Sequence, residues 1–292
     1  MGALSQGLTA AIDKPARDFK TEKPVTDEVF RALQSSYTYD RTDLKATTES
    51  VDQTSALWRA ERITFDAAYD HQRVPAWLYM PKTAKPPYET IVYVPPRSAL
   101  YLGRIDEYEI KFIEFLVKSG RAVLFTVCQG MYERRLTDPS GPSRERDRIV
   151  QQCKDLRRSL DYLDTRSDIA HARIGYYGVS DGARLGVILV PQEPRIRAAV
   201  LAAGGLSPEP KPPEIDEINF APRVRIPVLM LNGRYDLFYL AETNQMTLFH
   251  FLGALDSQKR HMLFDIGHVP LQQLEMKETM DWFDRYLGQV SR

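Results

Sequence analysis

A serine between two glycines is the residue of this chain with the clearest capacity for chemistry. Ser180 lies in Gly178-Val179-Ser180-Asp181-Gly182, directly after the apolar run 174–177. The pattern G-x-S-x-G is typical of a sharp turn that joins a strand to a helix and holds the serine hydroxyl clear of the sheet. Glycine suits both flanks because a Cβ there would crowd the neighbouring strand or helix. The motif therefore predicts that Ser180 is a nucleophile.

A serine hydroxyl needs a base within hydrogen-bond reach, and a carboxylate must orient that base. Ligands of an open parallel sheet bind beyond the carboxyl ends of its strands. Of the five histidines, His268 follows such an end, in Phe264-Asp265-Ile266-Gly267-His268, where Gly267 leaves the loop free to aim the ring. The other four occupy a hairpin turn, the amino ends of two strands and a helical segment: His71, His171, His261 and His250. His268 is the predicted base.

The predicted orienting carboxylate is Asp236. The apolar strand 226–231 leads directly into Asn232-Gly233-Arg234-Tyr235-Asp236, so this aspartate also lies just past a carboxyl end. Asp265 is too near His268 along the loop to reach the far ring nitrogen easily. Glu242 opens the next helix, where the helix dipole favours a negative charge. The resulting order, Ser180, Asp236, His268, is similar to that of the α/β-hydrolases, whose serine motif this one resembles.

Two backbone N–H groups are expected to bind the oxyanion that forms during acyl transfer. One belongs to Asp181, the residue after the nucleophile. The other must come from the loop after the buried strand 90–94. Pro95-Pro96 has no N–H group to offer, so Arg97 is the predicted donor and Ser98 is the alternative.

Side chains around this edge of the sheet leave several roles open. The Asp181 carboxylate would repel acidic substrates, or it pairs with Arg184 on the following helical turn. The Arg97 side chain either meets an anionic group of the substrate or is solvated at the surface. Ser98 and Tyr132 are predicted to line the substrate pocket. The charged residues 133–135 are interpreted as an anchor for their loop rather than as a binding site.

Alternating strands and helices must position these groups. An antiparallel pair, 62–65 and 74–80, comes first and is interpreted as a hairpin at a sheet edge. Further strands then alternate with amphipathic helices and predict a mostly parallel sheet with helices on both faces. Their ranges are 90–94, 121–127, 174–177, 196–203, 226–231 and 261–264.

The predicted organisation is an N-terminal arm, 1–57, packed on a catalytic domain, 58–292. The arm contains a short helix that begins after Thr26 and ends near residue 35. The irregular stretches 131–143 and 206–222 are too short to form a large cap domain.

Composition narrows the class of protein. The chain has 292 residues, 43% of them hydrophobic and 27% charged, as in a globular protein with a sizeable core. Because 39 basic residues balance 39 acidic ones, neither a nucleic acid nor a membrane is an expected partner. Cys128 and Cys153 form no zinc or disulfide pattern, which favours a reducing compartment. The N-terminus lacks the apolar core of a signal peptide, so a cytoplasmic location is expected, and a homodimer is left open.

With these residues in place, the chain resembles the dienelactone-hydrolase-like branch of the α/β-hydrolases. More narrowly, it is similar to the hydrolase domain found C-terminal to some bacterial serine/threonine kinases. Four segments carry that similarity: Tyr39-Asp40-Arg41-Thr42-Asp43-Leu44, Ser119-Gly120-Arg121-Ala122-Val123, Tyr132-Glu133-Arg134 and Asn219-Phe220-Ala221-Pro222-Arg223-Val224. No kinase signature is present. The chain departs from such domains at Pro96, where they usually carry glycine, and at Asp181, where they tend to carry an aromatic residue.

The resemblance implies an α/β-hydrolase fold without a large cap. It also implies a serine carboxylester hydrolase that acts on a small-molecule ester through an acyl-enzyme intermediate, with no metal or organic cofactor. Because the nucleophile is a serine, whereas dienelactone hydrolases proper use a cysteine, lactone specificity does not follow. Two alternatives remain: a peptidase or amidase with the same three residues, and an inactive hydrolase-fold module that binds ligands.

Overall fold

Within the residues that the structure describes, nine strands form one sheet in the order β1-β2-β3-β5-β4-β6-β7-β8-β9. The computed structural model describes residues 17–105, 107–136, 142–268 and 272–290. The strands are β1 (Thr47–Asp52), β2 (Trp58–Asp66), β3 (Arg73–Pro81), β4 (Tyr88–Val94), β5 (Ala122–Thr126), β6 (Ile169–Val179), β7 (Ile196–Ala202), β8 (Val228–Gly233) and β9 (Lys259–Phe264). The six strands from β5 to β9 in this sheet order, which include β4, are parallel to their neighbours in that group. Strands β1, β2 and β3 run antiparallel to their neighbours.

Helices cover both faces of this sheet. Their bounds are α1 (Asp27–Gln34), α2 (Glu107–Lys118), α3 (Pro142–Asp164), α4 (Asp181–Leu189), α5 (Glu217–Phe220), α6 (Met246–Phe251) and α7 (Gln272–Leu287). Two adjacent tyrosines of β6 display the two faces, because successive side chains of a strand point in opposite directions. Tyr177 contacts Phe115 of α2 and Glu275 of α7, whereas the Tyr176 hydroxyl donates to the Gly182 carbonyl of α4. The predicted mostly parallel sheet with helices on both faces is confirmed.

Apolar side chains of the strands and of the inner helix faces fill the space between the layers. The central strands β4, β5, β7 and β8 are buried along almost their whole length. Such continuous burial is expected of parallel strands with helices on both faces. None of the helices in the described ranges is both long enough and apolar enough to cross a membrane.

The segment before β1 lies against the main body. Helix α1 begins after Thr26, whose hydroxyl accepts a hydrogen bond from the Val29 N–H, as the sequence predicted. Phe30 and Tyr37 are buried and pack edge-on against Phe220. The division at residue 57 stays a prediction, and residues 1–16 of the predicted arm lie outside the described residues.

Strand β1 was not predicted, and its presence means that the predicted hairpin is not at the edge of the sheet. The hairpin forms as β2 and β3, but β1 pairs along β2 and β5 pairs along β3. The expectation that this hairpin lies at a sheet edge is therefore wrong, since β1 is the edge. Pro75 has no N–H to donate on the β5 side, and the Val127 carbonyl opposite it accepts from Arg134 instead, while the Pro75 carbonyl accepts from the Val127 N–H at 2.9 Å.

Candidate active site

Ser180 lies at the turn between β6 and α4, in a backbone conformation that few residues adopt. Its φ and ψ are 55° and −111°. A conformation of this kind costs on the order of 1–3 kcal/mol and persists only where the surroundings fix it. Part of that fixation is the Ser180 N–H, which donates to the Ala202 carbonyl at the end of β7 over 2.8 Å. The side chain is thereby held at the carboxyl edge of the sheet.

The two glycines of the motif allow the backbone segments around Ser180 to touch. A Cβ at Gly178 would lie 2.4 Å from the Gly182 carbonyl oxygen. A Cβ at Gly182 would lie 2.1 Å from the Val94 carbonyl oxygen, at the end of β4. Because backbone atoms cannot move aside cheaply, any side chain at either position would push α4 away from the serine turn or from the loop after β4.

His268 lies beside Ser180 and connects it to a carboxylate. The Ser180 Oγ and His268 Nε2 are 2.8 Å apart, and His268 Nδ1 and Asp236 Oδ2 are also 2.8 Å apart. An ionised carboxylate can only accept, so the proton of a neutral ring is on Nδ1 and Nε2 is free to accept the serine proton. The structure thus brings Ser180, His268 and Asp236 into one chain of hydrogen bonds.

Asp236 is held rigidly at the end of β8. Its side chain is inaccessible to solvent, and its Oδ1 accepts the backbone N–H groups of Phe238 and Tyr239 at 2.7 and 3.0 Å. The second oxygen, Oδ2, is left for the histidine. Hydrogen bonds to both oxygens fix the carboxylate in the orientation that the His268 ring requires.

The loops that carry Asp236 and His268 are in direct backbone contact. A Cβ at Gly233 would lie 1.6 Å from the Gly267 carbonyl oxygen. The Arg234 N–H donates to the Phe264 carbonyl at 2.8 Å, and the Tyr235 N–H donates to the Ile266 carbonyl at 3.0 Å. The start of the aspartate loop and the start of the histidine loop are therefore joined before either side chain is reached.

Each predicted oxyanion donor is the first residue of a helical turn. Asp181 begins α4, and Arg97 begins a 3₁₀ turn, Arg97–Leu100, after β4. The first N–H groups of a helix have no acceptor within it, so both are suited to binding an oxygen anion. The side chains of these two residues also pair, with Arg97 Nη2 at 3.1 Å from Asp181 Oδ1.

The Asp181 carboxylate lies among arginines. Burial raises the pKa of this carboxyl, but the charges of Arg184 and Arg97 outweigh burial and lower the pKa to about 2. Arg184 Nε lies 3.5 Å from Asp181 and 3.2 Å from the buried Glu217. The pairing with Arg184 that the sequence left open is present, together with the longer-range pairing with Arg97. Asp181 is ionised at neutral pH.

Ser98 and Tyr132, the residues predicted to line the pocket, have other contacts in the structure. The Ser98 hydroxyl lies 3.4 Å from a carboxylate oxygen of Glu109. Tyr132 is buried, and its ring packs edge-on against Phe125 with 5.9 Å between the ring centroids. Substrate contact by either residue stays a prediction. The neighbouring Arg134 bonds to buried Asp155, consistent with its interpretation as a loop anchor.

Sequence reasoning missed an apolar surface beside the histidine. Leu237, Phe238 and Leu240 are 88%, 67% and 51% exposed. The centroid of the Phe238 ring lies 4.8 Å from that of the His268 ring. A signal was present in the run Leu237-Phe238-Tyr239-Leu240 directly after Asp236, because large apolar side chains in a loop at the active edge of a sheet are suited to ligand contact.

This arrangement can perform nucleophilic acyl transfer. A hydroxyl within hydrogen-bond distance of an imidazole, itself oriented by a carboxylate, loses its proton as it attacks a carbonyl carbon. The N–H groups at two helix starts can stabilise the charge that develops on the carbonyl oxygen.

Comparisons with known proteins show the fold. No protein-family description matches the chain, and no curated protein matches it. An acetyl xylan esterase from a Paenibacillus species superposes with a TM-score of 0.69 and 18% identity, over 92% of this chain and 98% of that one. Acetyl xylan esterase 1 from a Thermoanaerobacterium species gives 0.71 and 16%, over 91% and 96%. A protein assigned as a dienelactone hydrolase, from Klebsiella pneumoniae, gives 0.58 and 18%, over 78% and 98%. The chain has the α/β-hydrolase fold.

Proposed function

We propose that this protein is a serine hydrolase that cleaves carboxylic esters, with Ser180 as nucleophile, His268 as base and Asp236 as the orienting acid. The observation that carries the proposal is the continuous chain of hydrogen bonds from Ser180 Oγ through His268 to Asp236, 2.8 Å at each step. A buried aspartate with this partner and a serine in this strained turn serve no evident packing purpose, whereas both serve proton transfer.

The reaction takes place in two halves. As Ser180 Oγ attacks the ester carbonyl carbon, its proton passes to His268 Nε2, and the imidazolium is stabilised by the negative charge of Asp236. The carbonyl oxygen becomes an anion, which the N–H groups of Asp181 and Arg97 bind. When this intermediate collapses, the carbon–oxygen bond to the alcohol breaks and Nε2–H protonates the leaving alkoxide. An acyl-Ser180 ester remains.

The second half repeats these steps with water. His268 Nε2 takes a proton from a water molecule as the water attacks the acyl carbon, and it then returns that proton to Ser180 Oγ. The carboxylic acid leaves and the free enzyme is restored. No step calls for an electron donor or acceptor, so the groups described are sufficient for the whole cycle.

Small esters with apolar groups are the proposed substrates. The exposed side chains of Leu237, Phe238 and Leu240 offer an apolar surface next to His268. The proteins that share this fold include two acetyl xylan esterases, which supports a short acyl group. The dienelactone-hydrolase-like branch is also proposed, because the sequence resembles it and one of the superposed proteins is assigned as a dienelactone hydrolase. A location in the cytoplasm is proposed as well, because the two cysteines form no disulfide pattern.

Hydrolysis of a p-nitrophenyl ester series with increasing acyl length tests the proposal. Wild type should hydrolyse the short esters, whereas Ser180→Ala should lose about 10⁴-fold or more in kcat. Ser159→Ala is the control, because Ser159 is buried but its hydroxyl only donates to the Leu156 carbonyl within α3. A fluorophosphonate should label Ser180 in wild type.

Three results would contradict the proposal. Ester hydrolysis that persists in Ser180→Ala would show that another group performs the chemistry. Faster cleavage of matched peptide amides than of the esters would indicate a peptidase or amidase. Tight binding of an ester without turnover would instead indicate an inactive module that binds ligands.

A further inference from the structure

An ion pair joins the two segments that are proposed to form the oxyanion hole. Arg97 Nη2 lies 3.1 Å from Asp181 Oδ1, across 84 positions of sequence. The same two residues are the proposed backbone donors. Their side chains thus connect the loop after β4 to the first residue of α4.

The loop after β4 offers few backbone donors at this point. Pro95 and Pro96 have no N–H groups, so the loop cannot be tied to α4 by backbone donors there. The first backbone donor after them is the N–H of Arg97, which must remain free if it is to bind the oxyanion. The Ser98 hydroxyl lies 3.4 Å from Glu109, and the Arg97 side chain adds the contact that ties this part of the loop to α4.

The charge of Asp181 creates a second need for the pair. Its side chain is 12% exposed, and a carboxylate so close to the nucleophile opposes the growth of negative charge on the substrate oxygen. Arg184 offsets part of that charge, but it also contacts Glu217 at 3.2 Å and Glu145 at 3.5 Å. Among the described residues, Arg97 forms an ion pair with Asp181 alone.

We propose that Arg97 and Asp181 are a positioning pair for the oxyanion hole. The guanidinium holds the loop after β4 against the start of α4 and neutralises the carboxylate, so that both N–H groups keep their places as the oxyanion forms. The pair rests on the proposed ester hydrolysis. It acts through the backbone donors and does not itself touch the substrate.

Truncation of the arginine tests the pair, because Arg97→Ala keeps the backbone N–H and removes only the guanidinium. With neutral p-nitrophenyl acetate, kcat should fall about 10- to 100-fold while KM changes less than about 2-fold, since the oxyanion is bound in the transition state and not in the ground state. Arg97→Lys should recover part of the loss. Added guanidinium ion should partly rescue Arg97→Ala.

A double-mutant cycle separates positioning from a general effect of the cation. Once Asp181→Asn has removed the carboxylate, loss of the guanidinium should change kcat less than about 2-fold, because nothing remains for it to neutralise or hold. Arg184 keeps its contacts with Glu217 and Glu145 in that variant, so the fold should persist.

Arg260→Ala is the matched control. Arg260 is 54% exposed and pairs with Glu278 at 3.0 Å, whereas Arg97 is 51% exposed and pairs at 3.1 Å. Loss of either surface pair should leave the thermal unfolding midpoint nearly unchanged. The Arg260→Ala variant should also keep its activity.

The proposed role of the pair is overturned if Arg97→Ala keeps the kcat of wild type, or if the loss of kcat is equally large in the Asp181→Asn background. A rise in KM confined to esters with an anionic group would mean that Arg97 binds substrate, which also overturns it. Any of these three results leaves the proposed function standing, provided that the wild type hydrolyses the ester and reacts with the phosphonate at Ser180. A wild type that does neither overturns both proposals.

Discussion

Glu275 on α7 makes the stability of the folded protein depend on pH. The residue is 4% exposed, and the Tyr177 hydroxyl of β6 donates to its Oε1. Burial raises the pKa of Glu275 from 4.5 to about 7, and the hydrogen bond from Tyr177 only partly opposes that shift. The carboxyl is consequently harder to ionise in the folded protein than in the unfolded chain.

The sign and size of the effect follow from proton binding. Below about pH 4.5 the carboxyl is protonated in both states, so it imposes no penalty. As the pH rises toward about 7, the unfolded chain releases the proton while the folded protein retains it, and the free energy of unfolding falls. The difference between about 7 and 4.5, at about 1.36 kcal/mol per pKa unit, makes the full loss about 3 kcal/mol.

Urea denaturation of wild type and Glu275→Gln over a range of pH measures this loss. The amide keeps the shape of the side chain and cannot ionise. The unfolding free energy of the variant relative to wild type should therefore rise by about 3 kcal/mol between about pH 4 and pH 8. Glu278→Gln, a change on the same helix at a carboxylate paired with the exposed Arg260, should show no such rise. Parallel pH profiles for wild type and Glu275→Gln would refute the reasoning.

Three further changes have defined outcomes. Asp236→Asn should lower kcat roughly 10⁴-fold with little change in KM, because the amide no longer stabilises the imidazolium or selects its tautomer; a loss under about 10-fold in steady-state kinetics would contradict that role. Gly182→Ala should lower kcat at least about 100-fold, since the added Cβ would lie 2.1 Å from the last carbonyl oxygen of β4. Gly103→Ala, where a Cβ meets nothing within 4 Å, should be indistinguishable from wild type in the same assay. Phe238→Ala should reduce kcat/KM roughly 10-fold more for esters with longer acyl chains than for the acetate ester. Leu255→Ala removes a side chain that is equally exposed, and it should leave the ratio of kcat/KM for long and short esters unchanged.

Much of the fold could be predicted because its elements carry local signals. Most of the parallel strands contain an apolar run, and their carboxyl ends share one edge. Because of that shared edge, Ser180, Asp236 and His268 could be predicted to lie together, and in the structure their side chains lie 2.8 Å apart at each contact. Their catalytic roles stay a prediction until the variants are measured.

The features that the sequence did not reveal depend on contacts between distant segments. All six residues of β1 are exposed, so the strand has no alternation of buried and exposed positions from which it could be recognised. Arg184, three residues along the helix, was a foreseeable partner for Asp181. The pairing with Arg97 depends on how closely β4 approaches α4, and no local pattern encodes that distance. The contact between Phe238 and His268 is hidden for the same reason.

The backbone contact between Gly233 and Gly267 has a consequence for motion at the site. Since these backbones touch and are further tied by hydrogen bonds at Arg234 and Tyr235, the two loops that carry Asp236 and His268 hold each other in place. We expect a shift of either loop to carry Asp236 and His268 together, and so to change the contact between His268 and Ser180 more than the contact between His268 and Asp236.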